Sequence, residues 1–268
     1  MIRVLSATFL IALLVITVWV LPASATVFVA AIIAAMAASE LAGLSRHLGT
    51  PVSPVFLGGA AGVICVGFAI GGSIAPGGHD PVVAVLLALV VAVGVVTLAG
   101  GPPSPSALTR SAIGFMAPLY VGLPLGTVAR IQVDHGPYVV SLLAVLIIVS
   151  DSAQYFVGRL VGRHKLAPEV SPAKTVEGAL AGLVAAGVAG AVLGARWVPG
   201  VTPASGLLLG LVLALLGMVG DLFESLLKRS AGVKDSSSLI PGHGGMLDRI
   251  DSWLFAAPAY YLFLRYVA

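Results

Sequence analysis

Apolar runs of about 20 residues, separated by short polar connections, recur along almost the whole chain. A helix needs about that length to cross a hydrocarbon core of roughly 30 Å. Glycine and proline interrupt the fifth run, but membrane helices tolerate them where neighbours satisfy the freed backbone. The pattern therefore predicts an all-α, polytopic membrane protein with about nine transmembrane helices. The predicted spans are 4–22, 26–44, 54–72, 81–99, 108–129, 137–157, 176–195, 204–227 and 252–267.

The composition supports this class. The chain of 268 residues is 59% hydrophobic and 9% charged, whereas soluble domains contain roughly 25% charged residues. No internal repeat, low-complexity tail or soluble domain is evident in the sequence. We predict a single membrane domain, in which 1–145 is mainly scaffold and lipid-facing helices and 146–268 carries the polar site.

The distribution of lysine and arginine predicts the orientation. With nine spans and a cytoplasmic amino terminus, eleven of these residues fall on the cytoplasmic side and three on the other. This asymmetry follows the positive-inside rule. The net charge of +3 then reflects topology and anionic ligands, and we expect no nucleic-acid partner. We expect a multi-pass protein of the cell (plasma) membrane with its site facing the cytoplasm.

The amino terminus has a second interpretation. The first apolar run and the small residues at 23–25 resemble a cleaved secretory signal. The run is longer than the usual apolar core of such a signal, which favours a retained helix. Cleavage would leave eight spans with the same sidedness.

Charge is concentrated in residues 225–251, around a Pro-Gly-His-Gly-Gly turn. Asp221 and Lys228 share one helical face at the end of the eighth span, and Asp248 and Asp251 share a face at the start of the ninth. Converging carboxylates repel each other unless a cation lies between them. A hard cation such as Mg²⁺ binds carboxylate oxygens together with substrate phosphates, so this window predicts a magnesium and phosphate site.

A second polar cluster begins at the end of the sixth span. Asp151 and the polar residues that follow it share one face, although a helix-end network without a ligand would produce the same pattern. Ser171, Lys174 and Thr175 then precede the seventh span. Helix capping and anion binding are both compatible with these residues, because free N–H groups at a helix start serve either purpose.

The available side chains limit the chemistry. Oxygen ligands with lysine and arginine, and a single cysteine, favour phosphoryl or nucleotidyl transfer over zinc or redox chemistry. The glycine-rich segment lacks the P-loop pattern. His243 could act as an acid or base, or could form hydrogen bonds within the loop, and both interpretations stay open.

These residues resemble the full signature of phosphatidate cytidylyltransferases, also called CDP-diacylglycerol synthases. The signature comprises S-x-L-K-R from Ser225, K-D-x-S from Lys234, and P-x-H-G-G-M-x-D-R-I-D ending at Asp251. The segments at 164–178 and 220–225 are also similar to the family. Two positions differ, since alanine stands at 153 and 173 where the family commonly has glycine and often has lysine.

The resemblance implies that CTP and phosphatidic acid react to give CDP-diacylglycerol and pyrophosphate, with Mg²⁺ and room for a second cation. It also makes a homodimer plausible. The implied metal ligands are Asp221 and Asp248, supported by Asp251 and Asp151. The implied catalytic residues are Asp221, Asp248, Lys228, Arg229, His243 and Asp251. The implied phosphate-binding residues are Ser171, Lys174, Thr175, Lys228, Arg229, Lys234 and Arg249.

Other functions fit the same residues less well. A polyprenol kinase or an archaeal-type ether-lipid cytidylyltransferase would use CTP on another lipid, but the signature favours phosphatidate. CDP-alcohol phosphotransferases have a D-G-x-x-A-R type motif, which the sequence lacks. An anion transporter would more often place its site near mid-membrane in broken, repeated helices.

Overall fold

A computed structural model of the protein describes residues 2–71, 81–101, 103–240, 242 and 244–268, without the side chains of 2–7, 9 and 10. The described chain is nearly all α-helical, as predicted. The helices are α1 (Ile2–Trp19), α2 (Ala23–His47), α3 (Pro54–Ile70), α4 (Pro81–Ala99), α5 (Ser106–His135), α6 (Pro137–Val161), α7 (Val176–Ala189), α8 (Ala195–Trp197), α9 (Pro203–Ser230) and α10 (Leu247–Tyr266). A π-helical turn, Gly190–Gly194, joins α7 to α8.

Among the described residues, six helical segments are long and apolar enough to cross a membrane. They are α2, α4, α5, α6, the continuous segment from α7 to α8, and α9. The predicted count of nine is not confirmed. Helix α3 is apolar but has 17 residues, and α10 carries Asp248, Arg249 and Asp251 near its start and Arg265 near its end.

The chain forms two compact units. The first unit comprises Met1–Val133 and Ser230–Arg249, and the second comprises Asp134–Arg229 and Ile250–Ala268. In the first unit, small residues allow helices to pack closely, as is common in membranes. A Cβ atom on Gly58 of α3 would lie 2.8 Å from the carbonyl oxygen of Ala35 in α2.

In the second unit, close helix packing brings together the elements that carry polar residues. A Cβ atom on Gly178 of α7 would lie 2.6 Å from the carbonyl oxygen of Gln154 in α6. One on Gly182 would lie 2.5 Å from the Gln154 Cγ atom. Small residues four positions apart, as at 178 and 182, predict a close helix interface; the structure confirms it, and its partner is α6.

A short β-hairpin precedes α7. Strands β1 (Lys165–Ala167) and β2 (Ser171–Thr175) are antiparallel, with Lys165 opposite Thr175. The sequence pattern predicts a polar connection without regular secondary structure here, so the hairpin was not predicted. Strands this short show little alternation of polar and apolar residues, and a proline inside β2 is typical of an edge strand.

Candidate active site

Three carboxylates from three helices approach one another in the second unit. Asp221 lies in α9, Asp151 in α6 and Asp251 in α10. Asp151 and Asp251 each interact electrostatically with Asp221, and Asp251 also interacts with Asp151. The Lys174 Nζ atom, near the end of β2, lies 2.7 Å from the Asp221 Oδ2 atom. These four residues are called the aspartate cluster below.

The packing of α9 against α10 explains how two of these acids meet. A Cβ atom on Gly220 would lie 2.5 Å from the carbonyl oxygen of Asp251. A side chain at this position would therefore push the helices apart. A glycine directly before Asp221 predicts close approach of another backbone or a ligand, and the approach of a backbone is confirmed. Its consequence is that Asp221, the next residue, lies beside the first turns of α10.

Hydrogen bonds to the aspartate cluster are few. The Ser225 hydroxyl donates to Asp221 Oδ1 over 3.3 Å, and the Gln154 amide donates to Asp151 Oδ1 over 3.3 Å. The Ser252 backbone N–H donates to Asp251 Oδ1 over 2.7 Å. Two carboxylate oxygens offer about four acceptor positions. Within the described chain, each aspartate therefore retains acceptor capacity for a ligand.

The charges in the aspartate cluster do not balance. The Lys174 ammonium lies beside Asp221 and Asp151, and the Lys228 ammonium near Asp251 is already paired with the Glu224 carboxylate. Repulsion between carboxylates is strong where water is partly excluded, so the arrangement favours an added cation. Oxygen ligands of this kind suit Mg²⁺.

The geometry limits how such an ion would bind. Across the described residues, no group of three His, Cys, Asp or Glu side chains is arranged to hold a metal ion. Mg²⁺ commonly binds through one or two carboxylates, with substrate phosphates and water completing its coordination. The residues present fit that mode and do not fit an all-protein cage.

A buried ion pair lies on α9 beside the aspartate cluster. Glu224 has 0% exposure, and its carboxylate pairs with the Lys228 ammonium one turn later. Separating such a pair by removing one partner costs about 3–5 kcal/mol. Lys228 therefore has a fixed position, and it also interacts electrostatically with Asp251.

The remaining predicted phosphate-binding residues lie in varied environments. Thr175 is buried, and its Oγ1 atom accepts a hydrogen bond from the Gly178 N–H over 3.2 Å, so it caps α7. Ser171 is half-buried in β2, and Arg229 is exposed in the last turn of α9. Lys234 and Arg249 are exposed in the first unit. Their binding of phosphate stays a prediction.

The polar face of α6 contains a second contact. Arg159 donates a hydrogen bond to the Tyr155 hydroxyl over 3.1 Å. The helix-end network considered above would join Asp151 to Arg159. Among the described residues, Asp151 instead accepts a hydrogen bond from Gln154.

A different carboxylate arrangement holds the loop before α10 in the first unit. Glu40 of α2 is 8% exposed. Its carboxylate accepts hydrogen bonds from the Ser237 hydroxyl and from the backbone N–H groups of Met246 and Leu247, over 2.7–2.9 Å. The Ser236 hydroxyl lies 2.9 Å from Glu40 Oε2.

Asp248 completes this arrangement. Its Oδ2 atom accepts hydrogen bonds from the backbone N–H groups of Ser236, over 3.0 Å, and Gly245, over 2.7 Å. The Ser236 hydroxyl lies 2.9 Å from the same atom. A Cβ atom on Gly244 would lie 2.6 Å from Asp248 Oδ2, so this turn requires glycine. We call Glu40, Ser236, Ser237, Gly245 and Asp248 the loop anchor.

From its position near the end of the second predicted span, Glu40 is expected to be an interfacial anchor only, like Arg46. For Glu40 that prediction is wrong, because its buried carboxylate holds the loop before α10. Its position offered one signal, because an acid inside an apolar span is costly unless it has a partner. Asp248 remains a predicted metal ligand, although its Oδ2 atom holds the loop. His243 lies outside the described residues.

Sequence reasoning also missed Glu177 as a structural residue. Its carboxylate accepts hydrogen bonds from the backbone N–H groups of Arg163, over 3.1 Å, and His164, over 3.2 Å. The His164 Nδ1 atom lies 2.6 Å from Glu177 Oε1. These contacts hold the start of the hairpin to α7, and therefore help to position Lys174.

The chain is similar to several known proteins. The "Uncharacterized protein YnbB" of Escherichia coli (strain K12) is 42% identical over 135 residues, which are 50% of this chain and 45% of the relative. The "Phosphatidate cytidylyltransferase" of Bacillus subtilis (strain 168) is 40% identical over 160 residues, 58% of this chain and 60% of the relative. The protein of the same name from Mycobacterium bovis (strain ATCC BAA-935 / AF2122/97) is 35% identical over 221 residues, which are 80% of this chain and 71% of the relative.

The chain spans about half the length of several of the curated relatives that it matches. The predicted resemblance to phosphatidate cytidylyltransferases is confirmed by relatives of that name. The sequence model of the cytidylyltransferase family matches residues 1–267. Because that match covers almost every residue, this chain belongs to the cytidylyltransferase family.

Proposed function

We propose that this protein transfers the cytidylyl group of CTP to phosphatidic acid, giving CDP-diacylglycerol and pyrophosphate for phospholipid biosynthesis. The aspartate cluster carries the proposal, because its acids and Lys174 converge within a chain that has the signature of the family. The name "Phosphatidate cytidylyltransferase" of the Bacillus and Mycobacterium relatives supports the choice of substrates.

The reaction needs positioning more than proton transfer. An oxygen of the phosphatidate phosphomonoester attacks the α-phosphorus of CTP and forms a new P–O bond. The bond from the α-phosphorus to the bridging oxygen breaks, and pyrophosphate leaves with the electron pair. A phosphomonoester already carries negative charge near pH 7, so a base contributes little. The difficulty is to bring two polyanions together, which is solved by positioning and electrostatics.

The aspartate cluster is the proposed Mg²⁺ site. Asp221 and Asp251 supply oxygens from adjacent helices, and Asp151 supports them. Bound Mg²⁺ would neutralise charge on the triphosphate and on the leaving pyrophosphate. Asp248 stays a proposed metal ligand because the family signature includes it.

The basic residues have the proposed task of holding phosphates. Lys174 pairs with Asp221 at 2.7 Å, and a substrate phosphate would compete for the same ammonium group. Lys228 is held by Glu224 and keeps a positive charge at a fixed position. Thr175 caps α7, which orients the start of a helix where N–H groups favour anions.

The membrane arrangement belongs to the same proposal. Nine spans with the aspartate cluster facing the cytoplasm would let CTP arrive from the cytoplasm and lipid enter from the bilayer. The asymmetry of lysine and arginine supports this orientation. Residence in the plasma membrane and assembly as a homodimer are proposed from the family resemblance alone.

The proposal is tested with the purified full-length chain, CTP, phosphatidic acid and Mg²⁺. We expect pyrophosphate release that requires both substrates, and CDP-diacylglycerol detected by mass spectrometry. Parallel reactions contain polyprenol or an ether lipid phosphate instead of phosphatidic acid. Faster pyrophosphate release with either of these lipids would assign the enzyme to another substrate class. Transport of an anion without pyrophosphate release would favour a transporter.

A further inference from the structure

A cavity of about 300 Å³ lies in the first unit, away from any residue assigned to the reaction. The segment before α3, the last half of α4 and the start of α5 form its walls. Its polar lining includes Ser53, Thr97 and Arg110. Ligand sites range from about 300 to 1,000 Å³, so this cavity suits a small polar group.

Arg110 is the charged residue that lines this cavity. Its guanidinium donates hydrogen bonds to the hydroxyls of Ser106, over 3.3 Å, and Ser104, over 3.4 Å. These distances exceed the usual range for charge-assisted hydrogen bonds. The Arg110 Nε atom is buried and has no hydrogen-bond partner among the described residues. None of the described residues that line the cavity is acidic, so none of them supplies a counter-charge to this cation.

An apolar groove of about 530 Å³ continues from this cavity along α3 and α4. Its walls are small and aliphatic side chains, including Gly59, Val63, Ala88 and Ala92. Phe56 lines both the cavity and the groove, so the two adjoin at this side chain. Helix α4 is the least buried of the candidate spans, with 11% of its apolar window buried. The groove is therefore open to the lipid that surrounds α4.

A cation at one end of an apolar groove matches the chemistry of an anionic phospholipid. Guanidinium groups bind phosphate through paired, charge-assisted hydrogen bonds. Within a bilayer, an acyl chain gains van der Waals packing where it fits against small and aliphatic side chains. We propose that one anionic phospholipid binds the first unit, with its phosphate at Arg110 and an acyl chain along the groove between α3 and α4.

A purely structural role for Arg110 accounts for less of the geometry. An arginine near the end of α4 would interact favourably with the negative end of that helix. The described hydrogen bonds of Arg110 go to serine hydroxyls of its own segment and to no carbonyl oxygen of α4. Helix capping also leaves the cavity and its connection to the groove without an explanation.

Binding is tested by native mass spectrometry of the full-length chain in detergent. The probe is dioleoylphosphatidylglycerol, which is anionic and has no free phosphomonoester with which to react with CTP. Dioleoylphosphatidylcholine is the neutral comparison. We expect one tightly retained phosphatidylglycerol for each chain, and at least about tenfold weaker retention of phosphatidylcholine. Equal retention of the two lipids would overturn the assignment of the phosphate to Arg110.

Two arginine variants locate the headgroup. Arg110→Gln should weaken phosphatidylglycerol binding about tenfold and leave phosphatidylcholine binding unchanged. Arg46→Gln is the matched control, because Arg46 is exposed at the end of α2 in the same unit. Asp221→Asn should retain the lipid, which separates this site from the aspartate cluster. Unchanged binding in folded Arg110→Gln would overturn the proposal.

A third variant locates the acyl chain. Ala88 is exposed in the groove, so Ala88→Phe should fill the groove without disturbing the packing of α4. We expect this variant to weaken phosphatidylglycerol binding severalfold. Inorganic phosphate serves as the competitor. Displacement of the lipid by millimolar phosphate, or normal binding in Ala88→Phe, would mean that the cavity recognises phosphate alone and would overturn the lipid proposal.

Discussion

The loop anchor of the first unit and the aspartate cluster of the second unit both contain buried or half-buried acids, but the acids have different partners. In the loop anchor, Glu40 and Asp248 accept hydrogen bonds from backbone N–H groups and serine hydroxyls, mostly over 2.7–3.0 Å. In the aspartate cluster, Lys174 lies beside Asp221 and Asp151, and the three carboxylates have few hydrogen-bond donors.

This difference separates structural carboxylates from ligand-binding ones. An acid whose oxygens are occupied by protein donors orders the chain, because losing those donors would leave buried polar groups without partners. Acids that repel each other and retain acceptor capacity favour a cation instead. We therefore infer that the loop anchor stabilises the fold and that the aspartate cluster serves the reaction.

Removal of divalent cations should have the largest effect. Chelation with EDTA is expected to reduce pyrophosphate release by about 1,000-fold or more, because a metal ion supplies several kcal/mol of charge stabilisation. Readdition of Mg²⁺ should restore the rate. The loop anchor is held together by hydrogen bonds within the protein, so the thermal unfolding midpoint should fall little. Full activity in EDTA would remove the metal from the proposal.

Asp221→Asn should reduce the rate of pyrophosphate release about 100-fold or more, a loss of roughly 3 kcal/mol of transition-state stabilisation. The thermal unfolding midpoint should stay the same or rise, because the change relieves repulsion between carboxylates. Glu169→Gln is the matched control, since Glu169 is an exposed acid in the turn of the hairpin. Near wild-type turnover of Asp221→Asn would exclude Asp221 as a metal ligand.

Glu40→Gln should lower the stability of the fold, in contrast to Asp221→Asn, which should lower activity. The amide offers one acceptor oxygen where the carboxylate offers two, and its NH₂ group faces N–H donors. We expect a loss of about 2–3 kcal/mol in the free energy of unfolding. The measurement is the thermal unfolding midpoint in detergent, again with Glu169→Gln as control. An unchanged midpoint would show that the four donors do not depend on the charge of Glu40.

The sequence predicted those parts of the structure that depend on local spacing. Apolar runs located the helices, and steps of three and four residues put Asp221 and Lys228 on one face of α9. Small residues at 178–182 and at Gly220 predicted close backbone approach, which the structure contains. These features depend on residues a few positions apart, so periodicity suffices to find them.

The loop anchor could not be found in that way. Glu40 and Ser236 are 196 positions apart, and no local period relates an acid in α2 to a loop before α10. The resemblance to a family identified the loop residues but drew no attention to Glu40. The hairpin was missed because its strands have three and five residues, too few to produce a recognisable alternation.

Gly245→Ala should have the smallest effect of these changes. A Cβ atom on Gly245 would meet the Ser236 Oγ atom and the Glu40 carboxylate, and such overpacking costs about 1–3 kcal/mol. Gly43→Ala in α2 is the control, because nothing lies within 4 Å of its added Cβ atom. An alanine within a helix should stabilise the protein by about 0.5–1 kcal/mol.

The double variant Glu40→Gln/Gly245→Ala then measures whether the loop anchor acts as one unit. Residues that share partners are coupled, and we expect the two losses of unfolding free energy to sum to less than their separate values. The reason is that the Ser236 hydroxyl, displaced by one change, is already free to move after the other. Additive losses would mean that Glu40 and Gly245 stabilise the loop independently, and the distinction between the two carboxylate arrangements would then depend on Glu40 alone.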